Sequence, residues 1–295
     1  MPTPELQERQ FELGGLLFGD LTSVQVDDVD LGDVARRTGD TDSPGADGGQ
    51  FGLDYHDGRV ISLDLWTDTT TAADARSAWG ALRTAWSADQ VRGVSRAVTT
   101  LRMRMPGSDT VRVYGRPRRM TPASQRMRDA GIVDLVADFQ TADRGFYSDV
   151  EQERTLNLLP NLSGGLMVPF TPPATLNAVS NSDSTMATNT GDTPTWPTVT
   201  FHGPITNPSV EWVATGSRLT LQTTLGAGRT VVIDTRPWAR TALRDDGASL
   251  AGQLRGPRLS EFTLPTGSTQ IAFRGQDPTG TSSCVVRWRD AYSTP

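Results

Sequence analysis

Apolar and polar residues alternate with a period of two along much of the chain, the mark of strands that bury one face. Over residues 59–66, Ile61, Leu63 and Leu65 share one face while Ser62 and Asp64 share the other. Residues 99–105 set Leu101, Met103 and Met105 against Arg102 and Arg104. After the turn Pro106-Gly-Ser-Asp109, Val111 and Val113 oppose Arg112 and Tyr114, so the two runs predict a hairpin. Residues 132–139 alternate likewise, and their Asp134 and Asp138 are expected to sit across the sheet from the hairpin arginines. One segment has helical period instead. Thr71 is a predicted N-cap with Asp74 three residues on, and Ala75, Ala78, Trp79, Leu82 and Trp86 follow at helical spacing. Residues 36–50, rich in Gly and Asp and without periodicity, predict an exposed loop between two strands.

From about residue 155 Pro, Gly, Ser, Thr and Asn rise and no helical pattern remains. Strands are predicted at 198–201, 211–213, 218–222, 229–235, 270–273 and 284–289, separated by turn clusters such as Leu225-Gly-Ala-Gly228. Such short strands argue for an antiparallel sandwich or jelly roll. Residues 180–194, a string of Ser, Thr, Asn and Asp with little to bury, predict a mobile loop. The expected domains are 1–155 and 156–295.

Composition narrows the chemistry. The chain has 295 residues, enough for two cores, and all 28 basic side chains are arginine. Without lysine, a Walker-type phosphate loop and Schiff-base chemistry are closed. A single cysteine, Cys284, excludes an internal disulfide and a cysteine-rich zinc site, and is expected in the core. The polar start and the lack of a long apolar run predict a chain made in a cytoplasm without membrane insertion. The net charge of −6 is uneven: residues 1–75 carry 16 acids and 4 arginines, residues 76–150 carry 7 acids and 13 arginines. That asymmetry is either neutralised internally or offered as complementary faces to other copies.

Candidate catalytic and metal residues are few. His56, within Asp54-Tyr-His-Asp57, and His202 are the two histidines, and neither has a placed nucleophile: Gly247-Ala-Ser-Leu-Ala251 lacks the final Gly of a nucleophile elbow. Asp40 and Asp42 with Gly45 resemble a calcium loop, but Phe51 stands where the bidentate Glu belongs. Trp79, Trp86 and Trp288 fit core faces, leaving Trp196, Trp212 and Trp238 as candidates for a sugar-stacking platform. The arginine-rich run 112–128 has the residues of a nucleic-acid contact, yet the domain as a whole is acidic. No catalytic, cofactor or metal residue is assigned.

Three stretches carry a family resemblance: Phe11-Glu-Leu-Gly-Gly-Leu-Leu-Phe-Gly19 with Asp57-Gly-Arg-Val-Ile-Ser-Leu-Asp64; Val136-Ala-Asp-Phe-Gln-Thr-Ala-Asp-Arg-Gly-Phe-Tyr-Ser148 running on to Ser163-Gly-Gly-Leu-Met-Val-Pro169; and Trp196-Pro-Thr-Val-Thr-Phe-His-Gly203, Gly228-Arg-Thr-Val-Val-Ile-Asp-Thr235 and Val286-Arg-Trp-Arg-Asp-Ala-Tyr292. In order and spacing they resemble the distal tail proteins of siphophages and the related minor tail proteins of actinobacteriophages. Arg144 stands where that family usually has Pro. The resemblance implies a mostly β fold: an α+β N-terminal domain with one helix on a β-sandwich or split barrel, then a galectin-like antiparallel β-sandwich. It implies a non-enzymatic virion protein at the distal end of the tail, a homo-hexameric ring bound to the tail tube protein, the tail-tip hub, the tape measure protein and receptor-binding or fibre proteins. Genomic DNA meets it only in transit. Arg102, Arg104, Arg112, Arg116, Arg118 and Arg119 are expected at an inter-protomer or tube interface, and Asp27, Asp28, Asp30 and Asp33 in an acidic lumen or flank. The alternative is a carbohydrate-binding tail module; a tail-associated hydrolase is a further rival.

Overall fold

The computed structural model describes residues 5–43, 45, 47–124, 131–158, 181–277 and 279–295. The 163–169 motif, Arg126, Arg128 and Ser180 lie outside the described residues. The chain divides into two compact units, Met1–Asp149 with Tyr292–Pro295, and Val150–Ala291.

In the first unit the strands are β1 (Gln10–Leu13), β2 (Leu16–Gly19), β3 (Val24–Asp30), β4 (Arg36–Arg37), β5 (Thr41–Asp42), β6 (Gly49–Gln50), β7 (Tyr55–His56), β8 (Val60–Thr67), β9 (Thr99–Arg104), β10 (Val111–Ser124), β11 (Asp134–Thr141) and β12 (Phe146–Ser148). Its main sheet has the order β2-β1-β9-β10-β11-β8-β3, with β12 beside β10. The strand pairs are antiparallel, and the β9–β10 hairpin sets Arg102 opposite Arg112. The sheet curls until its edge strands β2 and β3 touch. Among the described residues no ladder closes that seam; instead the Arg9 guanidinium donates to the carbonyls of Val26 at 2.8 Å and Asp27 at 3.2 Å. Helix α1 (Ala72–Ser87) starts at Thr71, whose Oγ accepts the Asp74 N–H, as the capping pattern predicts. It buries Ala75, Leu82 and Trp86 against the sheet. Trp86 meets Phe139 edge-on at 6.5 Å and donates its indole N–H to the Arg119 carbonyl at 3.0 Å. A one-turn helix α2 (Asp89–Arg92) follows.

The segment read as a loop is a narrow arm. β4 pairs β7 and β5 pairs β6, so residues 36–56 form an outlying ribbon rather than an irregular connection. Within it Gly39 and Gly52 pack backbone to backbone: a Cβ on Gly52 would sit 2.1 Å from the Gly39 carbonyl oxygen. Asp40 accepts the Gly52 N–H at 2.9 Å, tying the two limbs together.

The second unit is a two-layer sandwich with its core between the layers. One layer orders β13 (Gln152–Asn157), β23 (Ser283–Trp288), β15 (Thr198–His202), β19 (Thr230–Asp234) and β20 (Thr241–Arg244). The other orders β14 (Asn181–Asn189), β22 (Gly267–Gln276), β16 (Ile205–Trp212), β17 (Ser217–Leu221) and β21 (Leu254–Arg255), with β18 (Thr224–Leu225) beside β16. Phe201 stacks on Phe273 at 5.8 Å and Trp212 on Phe262 at 4.7 Å, with Cys284 fully buried among them. Burial pushes the Cys284 thiol pKa up, so it stays protonated.

Two expectations are corrected. Residues 181–189 are not a loop: they pair residue for residue with β22. Their polar side chains suit an edge strand, since Ala187 and Asn189 turn inward while Ser184 and Met186 turn to solvent. The free edge of β14 is partly occupied by β13 side-chain and backbone groups, through Arg154 to the Met186 carbonyl at 3.1 Å and the Asn157 N–H to Asp183 at 2.9 Å. The strand expected at 211–213 begins at Ile205, because Pro208 sits at a register shift between Thr206 and Ser209, where the ladder needs no N–H.

Candidate assembly surfaces

The six arginines singled out from the sequence fall into different environments. Arg102 is 5% exposed. It donates to Glu12 at 2.5 Å and to both oxygens of Asp149, at 3.0 and 2.7 Å. Arg112 donates to the same Asp149 carboxylate. Burial drives the Asp149 pKa up, but the hydrogen bonds from Arg102 and Arg112 overcome it and hold the carboxyl below its ordinary value. Arg104 holds the carbonyls of Leu6 at 2.9 Å and Ser108 at 3.3 Å. Arg116 holds those of Ala97 and Val94, at 2.7 and 2.5 Å. These four guanidiniums cross-link their own subunit. Arg118 and Arg119 are exposed and have no ion-pair partner among the described residues; they occupy the bulge of β10 between Pro117 and Met120. The acids placed across from the hairpin arginines are therefore Glu12 and Asp149, while Asp134 and Asp138 lie on β11, which pairs the far half of β10. Alternation gave the correct faces for these strands and the wrong neighbours, because strand order is a long-range property.

Asp27, Asp28, Asp30 and Asp33 are all exposed. A register shift between Val26 and Asp28 breaks the alternation of β3, so that neighbouring Asp27 and Asp28 both reach solvent. Asp28 pairs across the ladder with Asp64 on β8, two like charges directly opposed. Asp30 and Asp33 join Asp57, Ser62 and Gln140 around an open recess of about 550 Å³ at the base of the arm. No group of three or more His, Cys, Asp or Glu side chains is placed to hold a metal ion among the described residues.

The arm itself was not marked by sequence as a surface of interest. Phe51 is 95% exposed, Leu53 74% and Tyr55 57%, three large apolar side chains in succession on an outlying ribbon. Residues 38–54 around them hold Asp40, Asp42, Asp47 and Asp54 and no basic residue. The available signal was the presence of three bulky apolar residues in a stretch too short and too glycine-rich to bury them.

The remaining candidates carry no reactive geometry. His56 is exposed on β7 opposite Arg36, and His202 is half-buried on β15 beside Ser283 and Thr230. Trp212, one of three candidates for a sugar platform, is only 1% exposed; Trp196 and Trp238 are half-buried, the latter under the Arg236 guanidinium at 5.5 Å.

Comparison with known proteins bears on this architecture. Residues 190–292 match the family model for the siphovirus-type tail component, C-terminal domain. The chain shares the fold of the crystal structure of Dit from phage SPP1, described as a paradigm of the hub adsorption apparatus of phages that infect Gram-positive hosts. That alignment covers 96% of this chain and 98% of the other, with a TM-score of 0.57 and 16% identity. The chain resembles siphophage distal tail proteins. A chain of the phage P2 baseplate in its activated conformation with Ca aligns over 95% of this chain and 98% of that one, at a TM-score of 0.50 and 11% identity. Among curated proteins none matches by sequence. The match in fold runs through both units, whereas the match in sequence lies almost wholly in the second, where the core motifs around Trp196, Gly228 and Val286 stand.

Proposed function

We propose that the chain is a structural adaptor of a siphophage tail: a hexameric ring at the distal end that joins the tail tube to the tip hub and receptor-binding apparatus. The observation that carries this reading is the two-unit distal-tail fold, matched along nearly the whole of both chains. Tail tube, hub, tape measure and fibre proteins are the partners it implies. Its working parts are surfaces, and no catalytic role is assigned to any residue.

The exposed arm supports a self-assembling role. A ribbon presenting Phe51, Leu53 and Tyr55 to solvent leaves apolar area uncovered that a neighbouring subunit would bury. In a ring each subunit offers one surface and receives another, a heterologous contact that closes by rotation. Arg118 and Arg119 remain available for an acidic partner, and Asp27, Asp28, Asp30 and Asp33 for a passage that repels the phosphate backbone of DNA. The carbohydrate-binding alternative asks for an exposed tryptophan beside polar groups, and the burial of Trp212 removes one of its three candidates.

The test is the native mass and negative-stain shape of the purified chain, alone and with its tail-tube partner. Six-fold rings are expected in one of the two samples, and Phe51→Ser with Leu53→Ser should return them to monomers while leaving the melting temperature within a degree or two. A wild-type chain that stays monomeric in both samples and binds cell-wall glycan would overturn the adaptor reading.

A further inference from the structure

Helix α1 stops at Ala88, whose left-handed backbone (φ 46°) turns the chain straight into α2. That corner, the last turns of α1 and the Gly14-Gly15 turn between β1 and β2 border an open groove of about 630 Å³ in the first unit, lined by Leu16, Ala81, Thr84, Ala85, Ala88 and Val91. Its walls are low because the side chains are small, and a Cβ added at Gly14 or Gly15 would meet nothing within 4 Å. The two helices and the segment after them, residues 72–98, carry Arg76, Arg83, Arg92 and Arg96 against Asp74 and Asp89, and all six are exposed. Arg92 pairs with Asp89 at 3.2 Å, whereas Arg76, Arg83 and Arg96 have no ion-pair partner among the described residues. The groove is thus apolar within and basic around.

The arm has the opposite character. Its ladders of two pairs each enclose no core, and Phe51, Leu53 and Tyr55 alternate with Gly52 and Asp54, the spacing that puts side chains on one side of an extended limb. Residues 38–54 add four aspartates and no basic residue. We propose that the groove receives the arm of a second copy of this chain, with Phe51 and Leu53 entering beside α1 and the arm's aspartates facing Arg76, Arg83 and Arg96. This rests on the ring-forming reading above and names its contact. One chain carries both halves, an acidic apolar projection and a basic apolar recess, so each subunit gives one surface and receives another. The charge asymmetry between residues 1–75 and 76–150 then has a use that the internal pairs of Arg102 and Arg112 leave open. The recess at the base of the arm has the wrong sign to be the receiver, since Asp30, Asp33 and Asp57 line it.

Cross-linking between copies tests this, because the native Cys284 is buried and leaves the surface free of thiols. One full-length chain carries Gln50→Cys next to Phe51, another carries Thr84→Cys in the groove, and each is treated with a short bismaleimide alone and mixed with the other, with and without the tail-tube partner. A covalent dimer is expected in the mixture and in neither chain alone. Ala81→Glu, an acid at an exposed helix position in the path of the arm, should abolish the rings and leave the melting temperature within a degree or two of wild type. A mixture without the cross-link, a cross-link between two Gln50→Cys arms, or Ala81→Glu rings that persist would each overturn the docking, and the adaptor reading stands in all three as long as the wild type forms rings. A wild type that is monomeric in both samples, with no cross-link in the mixture, would overturn the docking and the ring together.

Discussion

Arg102 and Arg118 both belong to β10 or its hairpin partner, and both were read from sequence as partner-facing, yet their surroundings give them opposite roles. Arg102 is enclosed with two carboxylates, Glu12 and Asp149. Removing the guanidinium would leave Glu12 without its ion-pair partner and Asp149 with Arg112 alone, in a site largely shielded from water. Breaking a buried pair in this way costs about 3–5 kcal/mol. Arg102→Ala should therefore lower the stability of the isolated subunit by that order in urea unfolding. Arg118→Glu with Arg119→Glu should change it by less than about 0.5 kcal/mol, as substitutions at exposed positions without an ion pair do. The same exposed pair should weaken binding to an acidic partner surface in a pull-down with the tail-tube protein. A subunit equally stable with and without Arg102 would show that the cluster is not structural.

At the scale of elements, local rules were reliable where neighbours in sequence do the work. Thr71 and Asp74 announce α1, and the cap is formed as expected; Thr71→Ala should cost about 1 kcal/mol of stability, read as a lower melting temperature. Alternation likewise placed Ile61, Leu63 and Leu65 inward, and all three are at most 2% exposed. Legibility stopped where a partner far along the chain decides. Residues 181–189 have the composition of a loop, and only the ladder to β22, more than 75 residues later, makes them a strand. The candidate surface divides in the same way. Arginine content marked the β9–β10 region correctly, but which guanidiniums are internal depends on Glu12, Asp149 and carbonyls that sequence distance hides. The arm was hidden for another reason: its two-residue ladders are shorter than any periodicity can register.

On the scale of the whole molecule, the two buried clusters share no residue: one is centred on Phe11, Leu63, Phe139 and Trp86, the other on Phe201, Trp212, Phe262 and Phe273. The link between them is unusual in one respect. The chain leaves the first unit at Asp149 and comes back to it at Tyr292, so the second unit is an insertion with two covalent attachments. An insertion of this kind restrains the ends of its host, because unfolding the second unit frees a long loop within the first. The loop-closure cost rises only as the logarithm of length, so the restraint is modest, and each core should set its own melting behaviour. Truncating a fully buried phenylalanine costs about 3–5 kcal/mol. In calorimetry Phe139→Ala should lower one transition and Phe273→Ala the other, each by several degrees, with the partner transition shifted by far less. If either substitution lowers both transitions equally, the chain melts as a single cooperative body, and the two cores do not set their own melting behaviour.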